Sequence, residues 1–97
     1  MRMKDTFNIG GRELTSRFLL GTGKFRSKET MRDAIVRSGA QIVTVALRRI
    51  DLDKTDENIV SFIPENMILM VNTSGARNAG EAVRIAHIAK EAGYGNW

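Results

Sequence analysis

The sequence predicts an α/β fold organised around a parallel sheet, and three observations predict it. Three short, continuous apolar runs, Phe18-Leu19-Leu20, Ile42-Val43-Thr44-Val45-Ala46-Leu47 and Met67-Ile68-Leu69-Met70-Val71, have the character of strands covered on both faces. Stretches with helix-start signals and apolar residues at helical spacing alternate with them. Two of the runs open into loops of small and polar residues, Gly21-Thr22-Gly23-Lys24 and Asn72-Thr73-Ser74-Gly75, where α/β proteins bind ligands.

Ahead of these runs, Phe7-Asn8-Ile9 and Arg12-Glu13-Leu14 flank Gly10-Gly11. Two adjacent glycines between short alternating segments predict a tight hairpin, because both turn positions need positive φ. After the first strand, Ser27 is placed to cap a helix by accepting from free N–H groups of its first turn. Met31, Ala34, Ile35 and Ser38 then share one helical face, and Gly39 stands where a left-handed cap is wanted. After the second strand a short helix is expected over 55–62, with Asp56 and Glu57 favouring the dipole of its first turn. Pro64 ends it, since the residue before a proline avoids helical geometry. After the third strand, Asn78 with Glu81 makes a capping-box-like start to a helix carrying Ala79, Ala82, Val83, Ala86 and Ala89. It runs to Ala92 and stops at Gly93, and Gly95-Asn96-Trp97 reads as the approach to a fourth strand. The order is a β-hairpin followed by three βα units, with no internal linker.

Composition narrows the function classes. Apolar residues form 42% of the 97 and charged residues 27%, a balance that excludes a disordered chain. No apolar run approaches the roughly 18 residues of a membrane span. Nothing behind Met1-Arg2-Met3-Lys4-Asp5 resembles a signal-peptide core, so a cytoplasmic protein is expected. With no cysteine there is no disulfide framework and no thiolate metal site. The net charge of +4 comes from scattered basic residues whose densest pair is Arg48-Arg49, so nucleic acid is not expected as a partner. Phosphate-bearing small molecules remain open.

Neither phosphate-loop pattern fits Gly21-Thr22-Gly23-Lys24. A Walker loop needs Ser or Thr after the lysine, and the residue there is Phe25; the dinucleotide pattern needs a glycine at position 26, and Arg26 stands there. The loop is either a ligand-facing segment or a βα turn that uses glycine for backbone freedom. A Cβ at Gly23 is expected to block either a positive φ or the close approach of a ligand. Lys24 is chemically able to form a Schiff base, although a lysine after a glycine turn also serves as a solvated charge. Asn72, Thr73 and Ser74 can hydrogen-bond a substrate or enter a helix. His87 has no second ligand near it in sequence. Asp51, Asp53 and Asp56 lack the glycine and glutamate of a calcium loop, so no metal is expected.

Four stretches are more specific together than any of these residues singly. Gly21-Thr22-Gly23-Lys24-Phe25, Val43-Thr44-Val45-Ala46-Leu47-Arg48-Arg49, Val71-Asn72-Thr73-Ser74-Gly75-Ala76, and Ala86-His87-Ile88-Ala89-Lys90-Glu91-Ala92 with Asn96-Trp97 resemble bacterial thiazole synthase in order and spacing. The resemblance runs from Phe7 onward; one departure is Ala76, where many family members carry cysteine. It implies a (β/α)₈ TIM barrel, a fold of about 250 residues. Residues 1–97 would be one partial domain: the hairpin and βα units 1–3, reaching the start of strand 4.

The resemblance further implies a transferase of thiamin biosynthesis. It makes thiazole phosphate from 1-deoxyxylulose 5-phosphate, dehydroglycine and sulfur from the thiocarboxylate of a sulfur carrier protein. The sugar is held as a Schiff base on a lysine about two residues after the Asn-Trp pair, beyond Trp97, so none of the residues 1–97 is expected to be catalytic. Thr22, Lys24, Arg49, Asn72 and Thr73 are expected at the carboxyl ends of strands, lining the substrate pocket without covalent chemistry. No cofactor or metal is implied, and the full-length form is expected to be a homo-oligomer. The competing reading is a non-catalytic α/β binding or assembly module that covers its sheet edges by association. The length of the source reading frame separates the two.

Overall fold

A computed structural model describes residues 5–50, 59–95 and 97. Strands β1 (Phe7–Ile9) and β2 (Arg12–Leu14) pair antiparallel, with Phe7 opposite Leu14 and Ile9 opposite Arg12. The turn between them places Gly10 at φ 56° and Gly11 at φ 82°, a region in which a Cβ is crowded, so the expected hairpin forms as two glycines require.

Strands β3 (Leu19–Gly21), β4 (Ile42–Ala46) and β5 (Ile68–Asn72) form a parallel sheet in the order β3-β4-β5. Leu19, Ile42 and Ile68 stand side by side, as do Gly21, Thr44 and Met70, and Ala46 lies beside Asn72. Because side chains alternate along a strand, these residues share one face, while Leu20, Val43 and Leu69, then Val45 and Val71, share the other.

The second face is the main core. Helix α1 (Lys28–Ser38) lays Met31 and Ile35 on Val43 and Val45, with Ile50, Ile59 and Ile63 closing the cluster. The helix forms as expected. Ser27 Oγ accepts from the Thr30 N–H at 3.1 Å, and Gly39 takes a left-handed φ of 76°. Each large side chain fully buried here contributes about 1.5–3 kcal/mol of hydrophobic stabilisation. Of the helix expected over 55–62, Ile59–Phe62 is a 3-10 turn. Positions 55–58 lie outside the described residues, as do Asp51, Asp53, Lys54 and Asn96.

Helix α2 (Ala79–Glu91) starts at Asn78, whose Oδ1 accepts from the Glu81 N–H at 2.9 Å. The capping box is displaced by one residue. Glu81 Oε2 accepts from the Arg77 N–H at 2.9 Å rather than from Asn78, because the Arg77 guanidinium also donates to the same carboxylate. At the other end Gly93 has φ 94°, its N–H reaches the Lys90 carbonyl at 3.1 Å, and the Tyr94 N–H reaches that of Ala89 at 3.1 Å. That is the Schellman pattern, and it stops the helix where glycine predicts. Tyr94, Gly95 and Trp97 form no strand.

The first face is closed at its amino-terminal end by the hairpin. Leu14 is buried against Ile42 and Ile68, with Phe7, Met70 and Trp97 packed around them. Gln41 joins the two sheets. Its Oε1 accepts from the N–H groups of Thr15 at 2.7 Å and Ser16 at 2.8 Å, while its backbone carbonyl accepts from Ile68 N–H at 2.8 Å. One expectation needs correcting: Phe18-Leu19-Leu20 is not a strand buried on both faces. Phe18, just ahead of β3, is 50% exposed, and Leu19 is 41% exposed on the hairpin side of an outer strand.

Candidate functional site

The carboxyl ends of the three parallel strands meet at one mouth. Thr22, just past β3, is buried, and its Oγ1 donates to the Thr44 carbonyl at 2.8 Å, carrying the β3–β4 pairing one residue beyond the ladder. In the turn that follows, Gly23 does not take a positive φ; Lys24 does, at 65°, the one non-glycine among the described residues to do so. The expectation that Gly23 supplies backbone freedom is therefore met by its neighbour. Beside Gly23 lies Arg49, whose Nη1 would stand 3.6 Å from an added Cβ, an ordinary contact.

β4 ends at Ala46 and runs into a 3-10 turn, Leu47–Arg49, closed by the Ile50 N–H on the Leu47 carbonyl at 2.9 Å. The turn sends two consecutive arginines to opposite neighbours. Arg49 Nη1 donates to the Thr22 carbonyl at 3.3 Å, on the β3 side, and Arg48 Nη2 donates to Ser74 Oγ at 3.3 Å, on the β5 side. Gly75, at φ 95°, admits the Arg48 stem, whose Cδ would lie 3.4 Å from a Cβ there. Asn72, the last residue of β5, turns its Oδ1 onto the Ser74 N–H at 3.1 Å, an Asx turn that shapes the loop.

These groups enclose an open cleft of about 270 Å³. Of the residues expected at the site, Thr22, Arg49 and Asn72 line it together; Lys24 and Thr73 do not. Lys24 is exposed on the outside of its turn, and the Thr73 carbonyl is used by the Ala76 N–H at 3.1 Å. Thr44, Ala46, Arg48 and Ser74 join the lining. The signal for Thr44 was present, since it is the one polar residue in an otherwise apolar strand. The opposite reach of Arg48 and Arg49 had no mark in the sequence.

Among the described residues, the lining carries two guanidinium groups and no carboxylate. Among the described residues the ion pairs are Arg17–Asp5 and Arg77–Glu81, so neither cleft arginine has an acidic partner there. A second depression, about 440 Å³, lies beside β5 on the helix-covered face around Val60, Ile63, Pro64 and Leu69, and holds none of the expected site residues. His87 is exposed on α2. No group of three metal-ligating side chains occurs among the described residues, and no described helix is long and apolar enough to cross a membrane.

A family model described as thiazole biosynthesis protein ThiG matches residues 8–97. A protein named thiazole synthase from Pelotomaculum thermopropionicum is 65% identical over 95 residues, covering 98% of this chain and 37% of that protein. Proteins of the same name from Moorella thermoacetica and Desulforamulus reducens are 59% and 50% identical over the same coverage. The chain thus spans a little over a third of the length of these relatives. The chain belongs to the ThiG thiazole biosynthesis family.

Proposed function

We propose that the full reading frame carrying this sequence encodes a thiazole synthase of thiamin biosynthesis, a cytoplasmic transferase with a (β/α)₈ barrel. It forms thiazole phosphate from 1-deoxyxylulose 5-phosphate, dehydroglycine and sulfur delivered by a sulfur carrier protein thiocarboxylate, and it works as a homo-oligomer. The observation that carries this reading is the cationic, donor-rich cleft at the carboxyl ends of adjacent parallel strands, the face on which barrel enzymes assemble their sites. In this scheme Thr22, Arg49 and Asn72 line the substrate pocket, and Lys24 and Thr73 shape the loops behind it. The amine that condenses with the sugar carbonyl belongs to a lysine outside residues 1–97.

A Schiff-base lysine must be deprotonated at neutral pH, which needs an apolar wall or a neighbouring cation to lower its pKa. Lys24 is exposed and outside the cleft; Lys28 and Lys90 are exposed on helices. The test is borohydride trapping with 1-deoxyxylulose 5-phosphate, followed by mass spectrometry of digested protein. The product of the full reading frame is expected to carry one sugar adduct on the lysine about two residues after the Asn-Trp pair, and the 97-residue chain none. A stoichiometric, substrate-dependent adduct on Lys24 overturns the assignment.

A further inference from the structure

We propose that Arg48 and Arg49 form an oxyanion subsite at the carboxyl mouth of the sheet, receiving the carboxylate or phosphate oxygens of a small substrate. The proposal rests on the reading that this mouth is the substrate face. A guanidinium has five N–H donors in a planar fork. Each of these two uses one on a neutral acceptor at the long distance of 3.3 Å, Arg49 on the Thr22 carbonyl and Arg48 on Ser74 Oγ. The remaining donors have no partner among the described residues.

The rest of the lining adds donors rather than competitors. Asn72 commits its Oδ1 to the Ser74 N–H, which leaves its amide N–H groups to be offered. Ser74 Oγ accepts from Arg48, which leaves its own O–H free to donate. Gly21 and Gly23 bring backbone to the rim without side chains, so a ligand can approach closely. Two guanidinium groups in one cleft, with no carboxylate among the described residues of its lining, favour a bound oxyanion, which forms charge-assisted hydrogen bonds with them. The volume, about 270 Å³, lies just below the roughly 300–1,000 Å³ of drug-sized sites, which suits a small metabolite rather than a nucleotide. Because Arg48 and Arg49 spring from one turn but brace opposite loops, an anion between them also draws the β3 and β5 loops together.

The experiment uses protein from the full reading frame, titrated calorimetrically at constant ionic strength with inorganic phosphate and, separately, with acetate. Arg48→Gln combined with Arg49→Gln is expected to weaken at least one of these anions by about tenfold or more. The KM of the matching substrate should rise while kcat changes far less. Loss confined to phosphate assigns the subsite to the sugar phosphate; loss confined to acetate assigns it to a carboxylate. Arg12→Gln, on the hairpin at the opposite end of the sheet, serves as the control and is expected to bind both anions like wild type, and thermal melts confirm folding of every variant. Binding that is unchanged in the double variant, or that falls equally in Arg12→Gln, overturns the proposal. So does a wild-type protein that turns over yet binds neither anion at tens of millimolar. A wild-type protein without turnover instead overturns the functional reading itself.

Discussion

The two faces of the β3-β4-β5 sheet are made by the same strands and do opposite work. On the helix-covered face, Val43 and Val45 are buried at 0% and 1% exposure in one apolar cluster with Met31 and Ile35. On the hairpin face the chemistry changes along the strand. Ile42 and Ile68 pack on Leu14 at the amino end, Thr44 stands in the middle, and Asn72 and the arginines take over at the carboxyl end. A strand of five residues can serve both purposes because alternation separates the two sets completely. A slip of one residue would place Thr44 in the core and Val43 in the cleft.

Adjacent residues on β4 therefore offer the sharpest way to break the comparison. Val43→Thr places a hydroxyl in a fully buried apolar cluster and is expected to cost about 1–3 kcal/mol, since Val and Thr share a shape but not a solvation requirement. Thr44→Val, one residue along, is expected to change stability by less than about 1 kcal/mol, because a half-buried hydroxyl with no described hydrogen bond is removed. Urea denaturation of both variants measures the contrast. Equal losses would mean that the two faces do not differ in the way their residues suggest.

A smaller effect is expected where backbone strain sits on the mouth side. Lys24 holds φ 65°, a conformation that typically costs a non-glycine residue on the order of 1 kcal/mol. Lys24→Gly relieves that strain but gives the unfolded chain more freedom, so the net gain is expected to be about 0.5 kcal/mol or less. Gly23→Ala is expected to be close to neutral, since its new methyl would meet only Arg49 Nη1, at 3.6 Å. Melting temperatures of the two variants test the assignment, and a clear loss in Lys24→Gly would show that the side chain does more than occupy a turn.

Those two positions also show what the sequence makes legible. The hairpin, both helix starts and both helix stops follow from residues whose local chemistry admits few alternatives: Gly10-Gly11, Ser27, Gly39, Asn78 and Gly93. Strand identity follows from apolar runs, but exposure does not, because an outer strand such as β3 is as apolar as a central one until its neighbours are known. At the site, Thr22, Arg49 and Asn72 could be named from their positions at strand ends. Which residue of Gly23-Lys24 would take the left-handed φ could not, since glycine and a non-glycine neighbour in a turn can each take it. Nor could the contact between Arg48 and Ser74, which depends on a 3-10 turn that no residue in Leu47–Arg49 specifically encodes.

The smallest expected effect lies at the start of α2, where the helical layer reaches the mouth and charge rather than burial holds it. The Arg77 guanidinium and the Arg77 N–H both donate to Glu81, at 2.9 Å each, and together they hold the Glu81 carboxyl below its ordinary value of 4.5. The sign follows from linkage. A carboxylate whose pKa is lower in the folded protein than in the unfolded chain stabilises the fold above the unfolded value, and loses that contribution as pH falls through the folded one. Wild type and Glu81→Gln should therefore run parallel from neutral pH down to about pH 5. Below that the wild-type melting temperature should drop faster, until both are again parallel under strongly acidic conditions. Glu81 keeps 32% of its side-chain surface in water and Arg77 keeps 85%, so the effect is small and should fade further in about 1 M salt, where charges are screened within about 3 Å. On the helix-covered face, a core variant such as Val43→Thr should show the same deficit at every pH and salt concentration. Melting curves that diverge above pH 6, or that ignore salt, would place the origin of the effect in packing and remove the electrostatic distinction at this end of the sheet.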